Sequence, residues 1–107
     1  MNKGKELTDL TLIEVASGIR KGTFSSEEVT RHCLTRINQA QPILNCFISV
    51  DEESAIKSAQ RADKEVVAGG KLGVLHGVPL AHKDMFYKKG VLSTGGSKIQ
   101  KDFIPSY

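Results

Sequence analysis

Across the first seventy residues, apolar side chains recur at helical spacing in three stretches, each opened by a residue whose side chain can cap a helix. Leu12, Val15, Ala16 and Ile19 fall at i, i+3, i+4 and i+7 and define one apolar face. Thr11 and Glu14 are spaced as a capping box, in which hydroxyl and carboxylate each take a free amide of the other residue, and Leu10 with Val15 fits the flanking apolar staple. Gly22, after the basic pair Arg20-Lys21, predicts the stop. The second stretch repeats the device with Ser25 and Glu28 as the box and Phe24 and Val29 as the staple. Its buried stripe is predicted to be Val29, Cys33, Ile37 and Ala40, and Pro42 is expected to end the run. The third helix is predicted to start at Asp51, to bury Ala55, Ala59, Ala62 and Val66, and to stop at Gly69-Gly70.

Two further segments carry strand character. Ile43 to Val50 is short, apolar and partly β-branched, which predicts a strand around Cys46–Val50. After Gly70 the texture changes, with Gly73, Gly77 and Gly90 punctuating an apolar stretch. Val78-Pro79-Leu80-Ala81 reads as a buried strand entered through a proline and leading to Lys83-Asp84. Loops through Lys88-Lys89-Gly90 and Ser93-Thr94-Gly95-Gly96-Ser97 follow. The last residues, Phe103 to Tyr107, remain apolar where chain ends are usually polar, so the sequence is expected to continue in a longer protein. The expected class is α/β: three helices, a short early strand and a buried strand leading to Lys83, with residues 1–107 expected to be the N-terminal part of a single larger domain.

Composition removes several classes. With 39% apolar and 25% charged residues the chain is neither disordered nor fibrous, and two cysteines without zinc-ligand spacing exclude a disulfide scaffold. Cys33 and Cys46 are expected to be buried thiols in a reducing compartment. No uninterrupted apolar run suits a signal peptide or a membrane span, so the cytoplasm is the default. Residues 1–70 carry nine Lys/Arg against ten Asp/Glu, and residues 71–107 six against two. Those six lysines are too dispersed for a dense patch, and no nucleic-acid partner is expected from them.

Lys83 is the residue with chemistry to explain. A lysine following a buried strand must reach solvent or lose its charge, because burying an unpaired ammonium is costly. If extension continues, Pro79, Ala81 and Lys83 share one face and Leu80, His82 and Asp84 the other. Lys83 then lacks Asp84 as an ion partner, and desolvation would favour the neutral amine that a general base requires. Asp84 reads as a structural acceptor. His76 and His82 have no third ligand placed beside them, so neither a metal nor a cofactor is expected. His32 is expected to pack half-buried, and Gly95-Gly96-Ser97 is too common a sequence to identify an anion cradle.

The segment Leu72-Gly73-Val74-Leu75-His76-Gly77-Val78-Pro79-Leu80-Ala81-His82-Lys83-Asp84 resembles the lysine segment of amidase-signature enzymes, where a Gly-Val/Ile-Pro-apolar strand leads into Lys-Asp. Gly90 to Ser97 and Phe103 to Tyr107 are similar to the next two family elements, and the early helices to its opening, so the resemblance runs from about Leu7. It implies a layered fold of a large mixed sheet between helices, of which this chain holds the N-terminal portion. It also implies a Ser–cis-Ser–Lys triad for amide hydrolysis, with Lys83 as the base. By the same resemblance both serines and the oxyanion loop are expected in segments after residue 107, and Ser93 and Ser97 match a different, preceding loop. The chain alone is therefore expected to be inactive, and to leave apolar faces uncovered.

His82 before the lysine, and Met85-Phe86-Tyr87 after Asp84, depart from the tRNA-dependent amidotransferase branch and tilt the reading towards a stand-alone amidase acting on a small-molecule amide. The amidotransferase, which would add a nucleic-acid partner, is the alternative, and a non-catalytic binding or assembly module is another. No membrane partner is expected, and self-association is left open.

Overall fold

The computed structural model describes residues 6–83, 86 and 88–106. Among these residues three α-helices form in the order α1 (Leu12–Lys21), α2 (Ser26–Leu44) and α3 (Glu52–Ala68), with 3-10 turns at Leu7–Asp9 and Lys98–Gln100. The helix starts are capped at the residues the sequence marks, although at Ser25 only the hydroxyl half of the predicted box is described. Thr11 Oγ1 accepts the Glu14 amide at 3.2 Å, and Glu14 Oε1 accepts the Thr11 amide at 3.0 Å. Ser25 Oγ takes the Glu28 amide at 3.0 Å, and Asp51 Oδ1 the Ser54 amide at 3.1 Å. Gly22 and Gly69 close α1 and α3 in the left-handed region, at φ 74° and 78°.

The core lies where α1, the turn after it and the start of α2 converge. Val15, Ile19, Phe24 and Val29 form it, with Leu7, Leu10, Cys33, Val66 and Val78 packed around them. Ile19 and Val29 are each 1% exposed, so each contributes about 1.5 to 3 kcal/mol of apolar burial. Phe24 turns back over α1 and lies on Gly18, where an added Cβ would overlap its ring. The predicted inner faces are covered only in part: of the α2 and α3 stripes Val29 and Ala59 are buried, whereas Cys33, Ile37, Ala40, Ala55, Ala62 and Val66 are half-buried. Leu12 is 51% exposed, outside the stripe, whereas Leu34 is buried. Pro42 does not end α2, because removing one amide from the last turn still leaves the helix to close at Asn45, whose N–H donates to Gln41 O at 2.8 Å.

The expected α/β class is not what forms: among the described residues the chain is helical, with no strand or sheet. Backbone hydrogen bonding gives the reason. Around Cys46–Val50 the Gln41 side-chain amide takes the place of a neighbouring strand, its Oε1 accepting from Phe47 N at 3.0 Å and its Nε2 donating to Phe47 O at 2.6 Å. In the segment leading to Lys83, Val78 N turns back to Leu75 O at 3.1 Å. Lys83 O receives Phe86 N at 3.2 Å in a local turn, so no ladder is built. The nearest approach to pairing joins the last two segments, through Gly90 N to Pro105 O and Ser93 N to Phe103 O, both 2.9 Å.

The radius of gyration is 15.6 Å, against about 13 Å for a compact domain of this length. Large apolar side chains accordingly stay in solvent, among them Ile43, Ile48, Val67, Leu80 and Ile99. Uncovered apolar surface, expected from the resemblance, is thus a property of the molecule. Among the described residues no helix is long and apolar enough to cross a membrane.

Candidate functional site

The segment carrying Lys83 is fixed at its root and open at its tip. At the root, residues 73–78 form a tight turn, with His76 N donating to Gly73 O at 3.2 Å. His76 Nε2 bonds the Ala62 carbonyl of α3 at 2.9 Å; a carbonyl only accepts, so this nitrogen carries the proton. Glu65 Oε2 lies 3.7 Å from the same nitrogen. The Ser26 hydroxyl at the start of α2 donates to Gly77 O. Gly77 sits at φ 77°, and an added Cβ would lie 3.1 Å from the Ser26 side chain and 3.2 Å from Ile19 Cγ2. Only glycine suits that combination of conformation and close approach.

Ser26 is itself held. Asp63 of α3 accepts Ser26 N at 2.7 Å and Glu27 N at 3.0 Å through its two carboxylate oxygens. Together with the Ser25 cap, it provides acceptors for the first three free amides of α2 and places negative charge at the positive end of that helix. Glu27, one step on, bonds Arg31 Nε at 2.8 Å, and this hydrogen bond, with one from Gln60, holds its carboxyl below the ordinary glutamate value.

At the tip, Leu80, Ala81, His82 and Lys83 are exposed. The burial and strand alternation argued from the sequence are therefore absent at Lys83 in this chain. Asp84, Met85 and Tyr87, for which the sequence raised further expectations, lie outside the described residues, as does Tyr107. His82 is exposed while His76 is largely buried and committed to Ala62, so the fold separates the two histidines. His32 is exposed rather than half-buried, and it borders a shallow hollow with Glu6, Thr8, Arg36 and Gln39. Cys46 is exposed, contrary to the expected buried thiol. Cys33 is half-buried, and burial pushes its thiol pKa up.

The glycine-serine loop is internally committed. Gly96 N donates to Thr94 Oγ1 at 3.1 Å and Ser97 N to Thr94 O at 3.0 Å, which leaves neither amide for an anion. Ser97 Oγ accepts Ile99 N at 3.2 Å, and Ser93 is buried with its hydroxyl towards Phe86 O and Val91 O. Both serines have structural partners. Among the described residues no group of three or more His, Cys, Asp or Glu side chains is arranged to hold a metal.

Residues missed by the sequence reading are Ser26, Asp63 and the structural use of His76. Asp63 pairs with amides 36 and 37 positions away, and no local pattern signals that.

Comparison with known proteins decides the family, because the model described as Amidase matches residues 28–107, Lys83 included. The chain belongs to the amidase family. As a member, it is 47% identical over 97 residues to a glutamyl-tRNA(Gln) amidotransferase subunit of Hahella chejuensis, covering 91% of this chain and 20% of that protein. It is 43% identical over 102 residues to the like-named subunit of Myxococcus xanthus, covering 95% of this chain and 21% of that one. This amidase-family chain thus spans about a fifth of the length of the curated relatives it matches. Among solved structures it matches a chain described with a vestigial protein complex and the evolutionary origins of an s-triazine catabolic enzyme, at TM-score 0.83 and 30% identity. That match covers 90% of this chain and 21% of the other.

Proposed function

We propose that this chain supplies the base-bearing part of an amide-hydrolysing site of the kind found in its glutamyl-tRNA(Gln) amidotransferase relatives, with Lys83 as the catalytic base. The observation that carries the proposal is that Lys83 lies inside the family-matched region, on a segment anchored to the helices by Ser26 and His76. In the neutral state the Lys83 amine takes a proton from a bridging serine as that serine takes one from the nucleophilic serine. The nucleophile adds to the amide carbonyl, ammonia leaves with a returned proton, and water hydrolyses the acyl-enzyme. Neither Ser93 nor Ser97 takes part. Both serines and the oxyanion donors come from other segments of the same single domain, to which residues 7–107 contribute one piece. A base without its nucleophile forms no acyl-enzyme, so the chain alone is expected to release no ammonia.

The relatives' name favours the amidotransferase setting, in which partner subunits and charged tRNA accompany the small-molecule amide, in the cytoplasm. A stand-alone amidase is the second reading, favoured by His82 before Lys83 and by Met85-Phe86-Tyr87 after it. Grafting residues 7–107 in place of the matching region of the Hahella chejuensis relative tests both. The graft is expected to hydrolyse glutamine, and Lys83→Ala to lower kcat by more than about a thousandfold. Undiminished hydrolysis by the Lys83→Ala graft would remove Lys83 from the mechanism. Hydrolysis without any response to the partner subunits would favour the stand-alone amidase.

A further inference from the structure

Lys83 is exposed, and none of the polar contacts described holds its side chain, so its position depends on where its segment leaves the helices. That point is fixed by a relay. Asp63 grips the amides of Ser26 and Glu27 at 2.7 and 3.0 Å, Ser26 is 1% exposed and passes its hydroxyl hydrogen to Gly77 O, and His76 bonds Ala62 O at 2.9 Å. Residues 76 and 77 are thereby tied to α2 and α3 together, and Val78 packs on the core just beyond. From there to Lys83 the described backbone makes no ladder bonds over six residues, a reach of about 20 Å when extended, so among the described contacts the ties at residues 76–78 are what set the direction in which the segment leaves the helices.

We infer that Ser26, Asp63 and His76 are positioning residues for Lys83, a latch that sets the direction in which the base-bearing segment leaves the helices. The inference rests on the reading of Lys83 as the base, but its test does not use activity. A hydroxyl at position 26 is not needed for the start of α2, since Ser25 caps that helix and Asp63 bonds a backbone amide that any residue but proline keeps. Ser26 is specifically the residue whose side chain reaches Gly77.

The experiment is NMR of the 107-residue chain, comparing the unaltered protein with Ser26→Ala, and with Asp63→Asn as the milder change should Ser26→Ala fail to fold. Residual dipolar couplings are read at His82 and Lys83 and across α1–α3, together with exchange of the Val78 amide and thermal melting. The expected result is collapsed couplings at His82 and Lys83 and about tenfold faster exchange at Val78, with helix couplings retained. A lowered melting temperature with unchanged couplings at residues 78–83 would overturn the latch and leave these residues a purely structural role. Unchanged couplings with unchanged melting would overturn it equally. A responsive latch combined with an active Lys83→Ala graft would instead retire the base reading, so the two failures are told apart.

Discussion

The helices of residues 12–68 and the segments of residues 71–106 solve the same problem in opposite ways. In the first region the backbone closes its own hydrogen bonds, and the free amides at the start of α2 find Ser25 and Asp63. Its helix starts and stops therefore follow largely from local sequence, while the Asp63 contact and the Gln41–Phe47 bonds do not. The second region is equally apolar but takes its form from turns and borrowed partners. Val78 is drawn into the helical core, Gly90 and Ser93 bond Pro105 and Phe103, and Leu80 and Ile99 stay 70% and 95% exposed. Apolar character alone does not make a strand; a neighbour has to complete it.

The contrast breaks most visibly at Val29. Val29→Ala removes two methyl groups from the tightest part of the core and is expected to cost about 2 to 3 kcal/mol, read as a lower denaturant midpoint by circular dichroism. Gly18→Ala comes next. The helix gains about 1 kcal/mol of propensity, and displacing the Phe24 ring costs about 1 to 3, so a net loss near 1 kcal/mol is expected in the same titration.

The effect of pH is smaller and belongs to the helical region. Glu27 has a lowered pKa from its Arg31 hydrogen bond, so its contribution is fully present above the unfolded value of 4.5 and is lost as pH falls through the folded one. Melting temperature against pH is expected to fall slightly more steeply below that value in the unaltered chain than in Glu27→Gln. The smallest stability effect is assigned to Ile99→Ser, within about 0.5 kcal/mol, because its side chain is already in solvent. Binding of an apolar dye should nevertheless drop. A large loss of stability there would mean that the second region has a packed core of its own.

Much of the first region is legible in the sequence. Thr11 with Glu14, Ser25, Asp51, Gly22 and Gly69 signal their roles within four residues, because helix ends are governed by local hydrogen bonds. Leu12 escapes its predicted place because periodicity identifies a face without saying how wide its cover is. Asp63 is invisible to a local reading because its amide partners come from another helix, a tertiary fact. The two expected strands fail for a related reason: strand propensity describes a segment that fits a sheet, and here Gln41 and local turns take up the backbone instead. For the site, the family motif singles out Lys83, but its surroundings are not readable, since the burial assumed for it depends on contacts no local pattern encodes. The serines of the Gly90–Ser97 loop, left out of the triad on motif position, both have structural partners.

The Gln41 contact has a consequence for solubility. An unpaired apolar segment invites other chains to add to it edge on, which is how many proteins begin to aggregate. By occupying both backbone groups of Phe47, the Gln41 amide acts as a removable cover on that edge. An incoming strand gains little at this position until it displaces the glutamine, because one pair of hydrogen bonds is merely exchanged for another.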